Sequence, residues 1–428
     1  MKKIYVFVFI CCQLFFLNMT DVRADSSLED DVKEMKTQMA VMQQKISKLE
    51  EKSSDQENKI TGYEASKEAY EQRITELESQ LANQQQAGPA AASQNRAAVG
   101  KWIPEIGVVA DTVLTLDSTK EDAEGANRLS LRELELVLGS AVDPFSRLDA
   151  TISFSDSEEP PSLEEAYLTR FGLPWDMTAR IGKFKPKVGK VLGAHRDGLD
   201  TVDEPLVIQR YFGAEGMNKS GADFSKTLDF PWPVTQQVAF GILEGGSGEG
   251  GTAFGTTRRS PTLYSHFKNY LDINDTTGFE LGFSHMIGSR DENPGFESQV
   301  FASDLTLTKN INANQSLKVQ AEAFNLNRRE TEEDFDGNLW GAYGLLDFRF
   351  HSQWALGYRY DYAELVDNLV DNPGRADAGH TGYLTFYQSE LSRWRLQYSH
   401  TNLATGKDDN AVYLQGTFAI GEHKHKLQ

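Results

Sequence analysis

Trp354-Ala355-Leu356-Gly357-Tyr358-Arg359-Tyr360-Asp361 decides the fold. Trp354, Leu356, Tyr358 and Tyr360 are large and apolar or aromatic, and the residues between them are small or charged. A period of two puts these sets on opposite faces of an extended chain, so the segment predicts a strand with one apolar and one polar face. It follows a three-residue connection, His351–Gln353, and precedes a long polar one, Ala363–Gly379.

The same pattern recurs on both sides. Leu148, Ala150, Ile152 and Phe154 alternate with Asp149, Thr151, Ser153 and Ser155, and Trp394, Leu396 and Tyr398 with Arg393, Arg395 and Gln397. Short connections fall at Asp143–Ser146, Leu173–Asp176, Phe230–Pro233, Leu271–Asp275, Asn310–Gln315 and Gln388–Ser392. Longer polar connections lie between them, the longest being Pro186–Ser220. Short and long alternate throughout, as they do in outer-membrane barrels, where turns are tight on one side and loops are long on the other. The runs predict an all-β transmembrane barrel of about sixteen antiparallel strands over residues 100–428. A sandwich has no reason to segregate loop lengths by side, and a solenoid would repeat a motif that is absent here. Polar inward residues on most strands predict a wet lumen.

Ahead of the barrel, Lys2 and Lys3, the apolar run Ile4–Leu17 and Val22-Arg23-Ala24 predict a secretory signal over residues 1–24. Cys11 and Cys12 are the only cysteines and leave with it, so neither a disulfide nor a thiolate metal site is expected. From Leu28 through Val32, Met35, Met39, Met42, Ile46 and Leu49 to Ile74, Leu77 and Leu81, apolar residues step by three and four. That a/d seam predicts a periplasmic α-helical coiled coil over residues 25–81, with Ser53, Gln56 and Lys67 interrupting it. Residues 82–99, rich in Gln and Ala, read as a flexible linker. The formal net charge is −20, which disfavours a nucleic-acid partner. Mean hydropathy is negative, but a membrane barrel shows lipid only every second residue.

A family resemblance rests on four motifs. Gly357-Tyr358-Arg359-Tyr360-Asp361, Ser389-Glu390-Leu391-Ser392-Arg393-Trp394-Arg395-Leu396-Gln397-Tyr398, the ending from Tyr413-Leu414-Gln415 to Gly421-Glu422-His423-Lys424-His425, and Gly182-Lys183-Phe184-Lys185-Pro186 resemble those of phosphate-selective porin O/P-like proteins. The resemblance covers roughly Trp102 to His425 and implies a trimeric diffusion channel in the outer membrane of a Gram-negative bacterium. Barrels of this type commonly end on an aromatic residue, whereas this chain ends Lys426-Leu427-Gln428, leaving Phe418 and Ile420 as internal candidates for the assembly signal.

In general porins the third external loop folds into the lumen. Here that loop carries Lys187, Lys190, Arg196, Asp197, Asp200, Asp203, Glu204 and Arg210, mixed charges that suit a constriction and equally suit a solvated surface loop. On the walls, Arg349, Arg359, Arg393 and Arg395 suggest a basic track, or equally charges paired with Asp347 and Asp361, which share their faces. Neutralising Arg393 and Arg395 is then expected to move the reversal potential toward cations. The sequence predicts weak selectivity, tilted toward anions if the loop folds inward and toward cations if it does not. It shows no catalytic set, no cofactor motif and no metal site, His423 and His425 near the terminus being a weak pair. The expected function is passive diffusion of small hydrophilic solutes or anions, phosphate among them. The expected partners are outer-membrane lipid and further copies of the chain. A tether from outer membrane to cell wall through the coiled coil is the alternative.

Overall fold

A computed structural model describes residues 104–118, 127–156, 161–230, 232–255, 260–290, 296–329, 337–366 and 375–421. The expected signal, coiled coil and linker lie outside them, as do His423 and His425. Sixteen strands follow in order: β1 (Glu105–Asp117), β2 (Arg128–Asp143), β3 (Ser146–Phe154), β4 (Ser162–Leu173), β5 (Met177–Phe184), β6 (Lys219–Leu228), β7 (Val234–Leu243), β8 (Thr262–Asn274), β9 (Thr277–Ser289), β10 (Glu297–Asn312), β11 (Gln315–Arg328), β12 (Gly337–His351), β13 (Trp354–Glu364), β14 (Ala376–Ser389), β15 (Ser392–Asn402) and β16 (Asp408–Gly421). Each pairs antiparallel with its neighbours in sequence, and β1 pairs with β16 to close the barrel. Closure leaves no sheet edge, so backbone donors and acceptors find partners within the wall.

The apolar face points outward. Leu129 is 69% exposed and Leu356 56%, and aromatic pairs such as Trp354–Phe386, directly opposite each other, bring their tilted rings to 4.7 Å on that face. The short turns are closed by side chains that mimic backbone. Asp143 accepts from Phe145 N–H at 2.7 Å, Asn274 from Thr276 N–H at 3.0 Å and Asn312 from Asn314 N–H at 2.9 Å.

Away from the turns, two β-bulges among the described residues break the alternation. Opposite β3, Thr151 pairs with Glu165 and Ile152 with Leu163, so Glu164 is an extra residue and both glutamates turn inward. Opposite β1, the register jumps between Glu133 and Leu131, and the extra residue Arg132 reaches inward to Asp111.

The lumen is less open to water than the sequence predicts. Residues 185–218, between β5 and β6, lie inside the barrel and include the helix α1 (Leu206–Phe212). Val207, Tyr211 and Phe212 pack with Phe324, Leu326, Leu339 and Tyr343, inward residues of β11 and β12. Phe212 meets Phe324 edge-on at 5.6 Å. The loop after β7 joins this cluster, Gly248 N–H and Ala253 N–H each donating at 2.8 Å to the carbonyls of Phe212 and Tyr211. One side of the lumen is therefore a dry core. Apolar burial holds the loop there, and the inward polar residues meet the loop more than they meet water.

Candidate pore constriction

The inward loop is held by polar side chains of β2, β4, β6, β9, β11, β13, β14 and β15. Glu322 on β11 accepts the backbone N–H groups of Lys190 and Val191, each at 2.9 Å, and the Tyr343 hydroxyl at 2.6 Å. Ser284 on β9 accepts Gly189 N–H at 3.2 Å, and Gln397 on β15 accepts Val202 N–H at 2.7 Å. Asp361 on β13 accepts Leu206 N–H at 3.2 Å. Loop backbone carries donors and acceptors that no sheet satisfies, so these wall groups take the place water would have on an external loop.

The wall arginines serve the same end. Arg359, 1% exposed, donates from Nε to Asp361 at 2.7 Å, from Nη1 to the Asp203 carbonyl at 2.8 Å and to Thr201, and from Nη2 to the Asp203 carboxylate at 3.2 Å. Arg393 donates to the Asp197 carbonyl at 2.9 Å, and Arg395 to the Leu199 carbonyl at 3.1 Å. The sequence placed all three on the inward face, where the structure has them. It did not place the loop on top of them. Arg349, also inward, lies over the Tyr387 ring at 4.4 Å and away from the loop. Arg210 pairs with Asp377 on β14 at 2.7 Å, and Arg196 with Glu215 at 3.2 Å.

Charge is concentrated where the loop faces β8 to β11. Lys190 pairs with Glu280 on β9, which Lys268 on β8 also reaches at 2.7 Å. Lys318 on β11 holds Asp200 at 2.6 Å. Lys187 donates to Ser225 on β6 at 3.0 Å, and burial pushes its amine pKa down. A cavity of about 130 Å³ opens between loop and wall, bordered by Lys190, Asp200, Thr201, Lys318, Gln320 and Arg359. Lys268, Glu280, Lys318 and Glu322 were missed in the sequence, although each occupies an inward position of its strand. Glu204, in the same loop, is buried, and that burial lifts its carboxyl to about 7 against the pull of Lys185 and Arg196.

The comparisons with known proteins bear on the fold. No family model matches the sequence. A protein of Aquifex aeolicus (strain VF5), described as uncharacterized, is 28% identical over 334 residues, 69% of either chain. Among solved structures, an anion-selective porin from Comamonas acidovorans superimposes with a TM-score of 0.51 at 11% identity, covering 74% of this chain and 99% of that one. Pseudomonas putida OprB gives 0.50 at 9% identity, with 78% and 97% covered. Salmonella typhi OmpF in complex with daunomycin gives 0.50 at 9%, with 75% and 99% covered. At such identities the likeness is one of fold.

Proposed function

We propose that this chain is an outer-membrane porin, a passive channel for small hydrophilic solutes with a weak preference for anions. One observation carries the reading: a long loop is folded into the lumen and seated on ionised wall groups, leaving lysines at the gap. An apolar exterior around a polar, charged interior suits a barrel in lipid and inverts what a soluble barrel needs. At the gap, Lys190 and Lys318 stand with Asp200, and Glu280, paired with both Lys190 and Lys268, adjoins them. Charges there act through little water, whereas the acidic external loops are screened within about 8 Å at physiological salt. Phosphate as the preferred anion rests on the sequence resemblance, and so does assembly as a trimer; the heptad seam of residues 25–81 favours an oligomer without fixing its number of chains.

The test is reconstitution of the purified chain in a planar bilayer under a salt gradient. The expected result is stepwise conductance with a reversal potential displaced modestly toward the anion value. A folded barrel that never conducts would overturn the reading.

A further inference from the structure

Away from the lysine gap, on the wall formed by β2 and β4, three glutamates converge on one histidine, with a fourth, Glu133, beside them. β2 contributes Glu133 and Glu135, and the bulge in β4 contributes Glu164 and Glu165 side by side. The loop contributes His195, 4% exposed. His195 Nδ1 lies 3.4 Å from Glu135 Oε1 and 3.3 Å from Glu164 Oε2. On the other side of the ring, Nε2 lies 3.0 Å from Glu165 Oε2.

We propose that His195, Glu135 and Glu164 form a binding site for a first-row divalent metal such as Zn²⁺. The donor atoms of the three lie within 4.8 Å of one another. Separations of 3.3 and 3.4 Å exceed the roughly 2.7–2.9 Å of a charge-assisted hydrogen bond. They match the edge of a tetrahedron, since ligands about 2.0–2.2 Å from a common ion sit roughly 3.4 Å apart. The remaining contact is the one a ligating imidazole needs. Glu165 faces Nε2 at 3.0 Å, which orients the ring with Nδ1 toward Glu135 and Glu164, the carboxylate–histidine–metal arrangement.

Three further observations agree. A cavity of about 20 Å³, the size of one water or ion, borders Glu133, Glu135, Glu164 and Asn218 together with Lys185, Arg196 and Glu215. The neighbouring cations are turned elsewhere: Lys185 Nζ donates to the Ala194 and Glu215 carbonyls at 3.1 and 3.3 Å, and Arg196 pairs with Glu215. Asp197, 3% exposed, has an Oδ1 with no hydrogen-bond partner among the described residues, and its charge bears on Glu135. Negative charge is thus in excess in a buried place, a condition relieved by a bound cation or by protons. One imidazole with carboxylates suits zinc, manganese or ferrous iron better than calcium or magnesium. A metal here would join β2, β4 and the loop at one point.

The experiment uses the full chain in detergent, stripped with chelator, dialysed against Zn²⁺ and assayed for bound metal by mass spectrometry. One zinc per chain should be retained. His195→Gln and Glu164→Gln should each lose it while keeping the heat-dependent gel mobility of a folded barrel. The pair His423→Gln and His425→Gln should keep it. Glu165→Gln retains every ligand and should weaken binding on the order of tenfold or more. The proposal is overturned if the wild-type chain retains no zinc, or if the zinc is lost with His423 and His425. Because the readout is bound metal, its failure is separate from any failure to conduct.

Discussion

At the residue scale, single side chains decide whether the loop stays seated. Arg359 joins Asp361 on the wall to Thr201 and Asp203 on the loop with almost no exposure to water. Truncating one member of a buried ionic group strands the others, at a cost on the order of 3–5 kcal/mol. Arg359→Ala is therefore expected to release the loop while leaving the wall closed. Trypsin reads this directly: Lys190, Arg196 and Arg210 should resist cleavage in the native chain and become cleavable in the variant. Gly189 has φ +60, and a Cβ there would stand 2.1 Å from the Glu322 carboxylate that holds the loop, so Gly189→Ala should give the same protease sensitivity. Glu204 supplies a pH dependence. Its carboxyl is raised by burial to about 7, so the seated loop binds its proton more tightly than an open loop would. The contribution to seating is complete below the ordinary carboxylate range and is lost as pH rises through about 7. Conductance should rise across that range, and Glu204→Gln, neutral at every pH, should flatten the response. An unchanged response in Glu204→Gln would exclude Glu204 as its source.

At the scale of elements, the two bulges show what local pattern reveals and what it hides. Strand positions and turns were legible because period-two alternation and Asp, Asn, Gly and Pro at the connections are local properties, and the count of sixteen strands is the one observed. The bulges left a trace that was not followed. Outward leucines on β2 run Leu129, Leu131, Leu134, Leu136, a step of three in a series of twos, and β4 runs Leu163, Ala166, Leu168. Each three-residue step marks an inserted residue, Arg132 or Glu164, that changes the face of its neighbours. Deleting Glu164 is expected to restore regular pairing with β3 and to keep a folded barrel, while removing one carboxylate from beside His195. A chain that no longer shifts on heating in a gel assay would show that the bulge is needed for closure. The seating of the loop was not legible, because Glu322, Lys318 and Arg359 meet residues between 118 and 158 positions away in sequence. Inward parity identifies such residues as lumenal but cannot distinguish water from loop as their partner.

At the scale of the molecule, selectivity follows from where the loop places charge. Arg393 and Arg395, read from the sequence as part of a basic track, are covered by the loop and bound to its carbonyls, so neutralising them should loosen the loop before it alters ion preference. Lys190 and Lys318 border the open cavity instead. The double variant Lys190→Gln and Lys318→Gln is expected to move the reversal potential toward cations. If it does not move, the ion path runs elsewhere.

The central claim is that the loop over residues 185–218 narrows an otherwise wide barrel. Single-channel conductance of the native chain, set beside that of a chain in which Val188–Ala214 is replaced by a short glycine-serine link, tests it most directly. The account expects small, stable steps from the native chain and severalfold larger ones from the shortened chain, both from barrels of equal heat stability. Equal conductance from the two would contradict it.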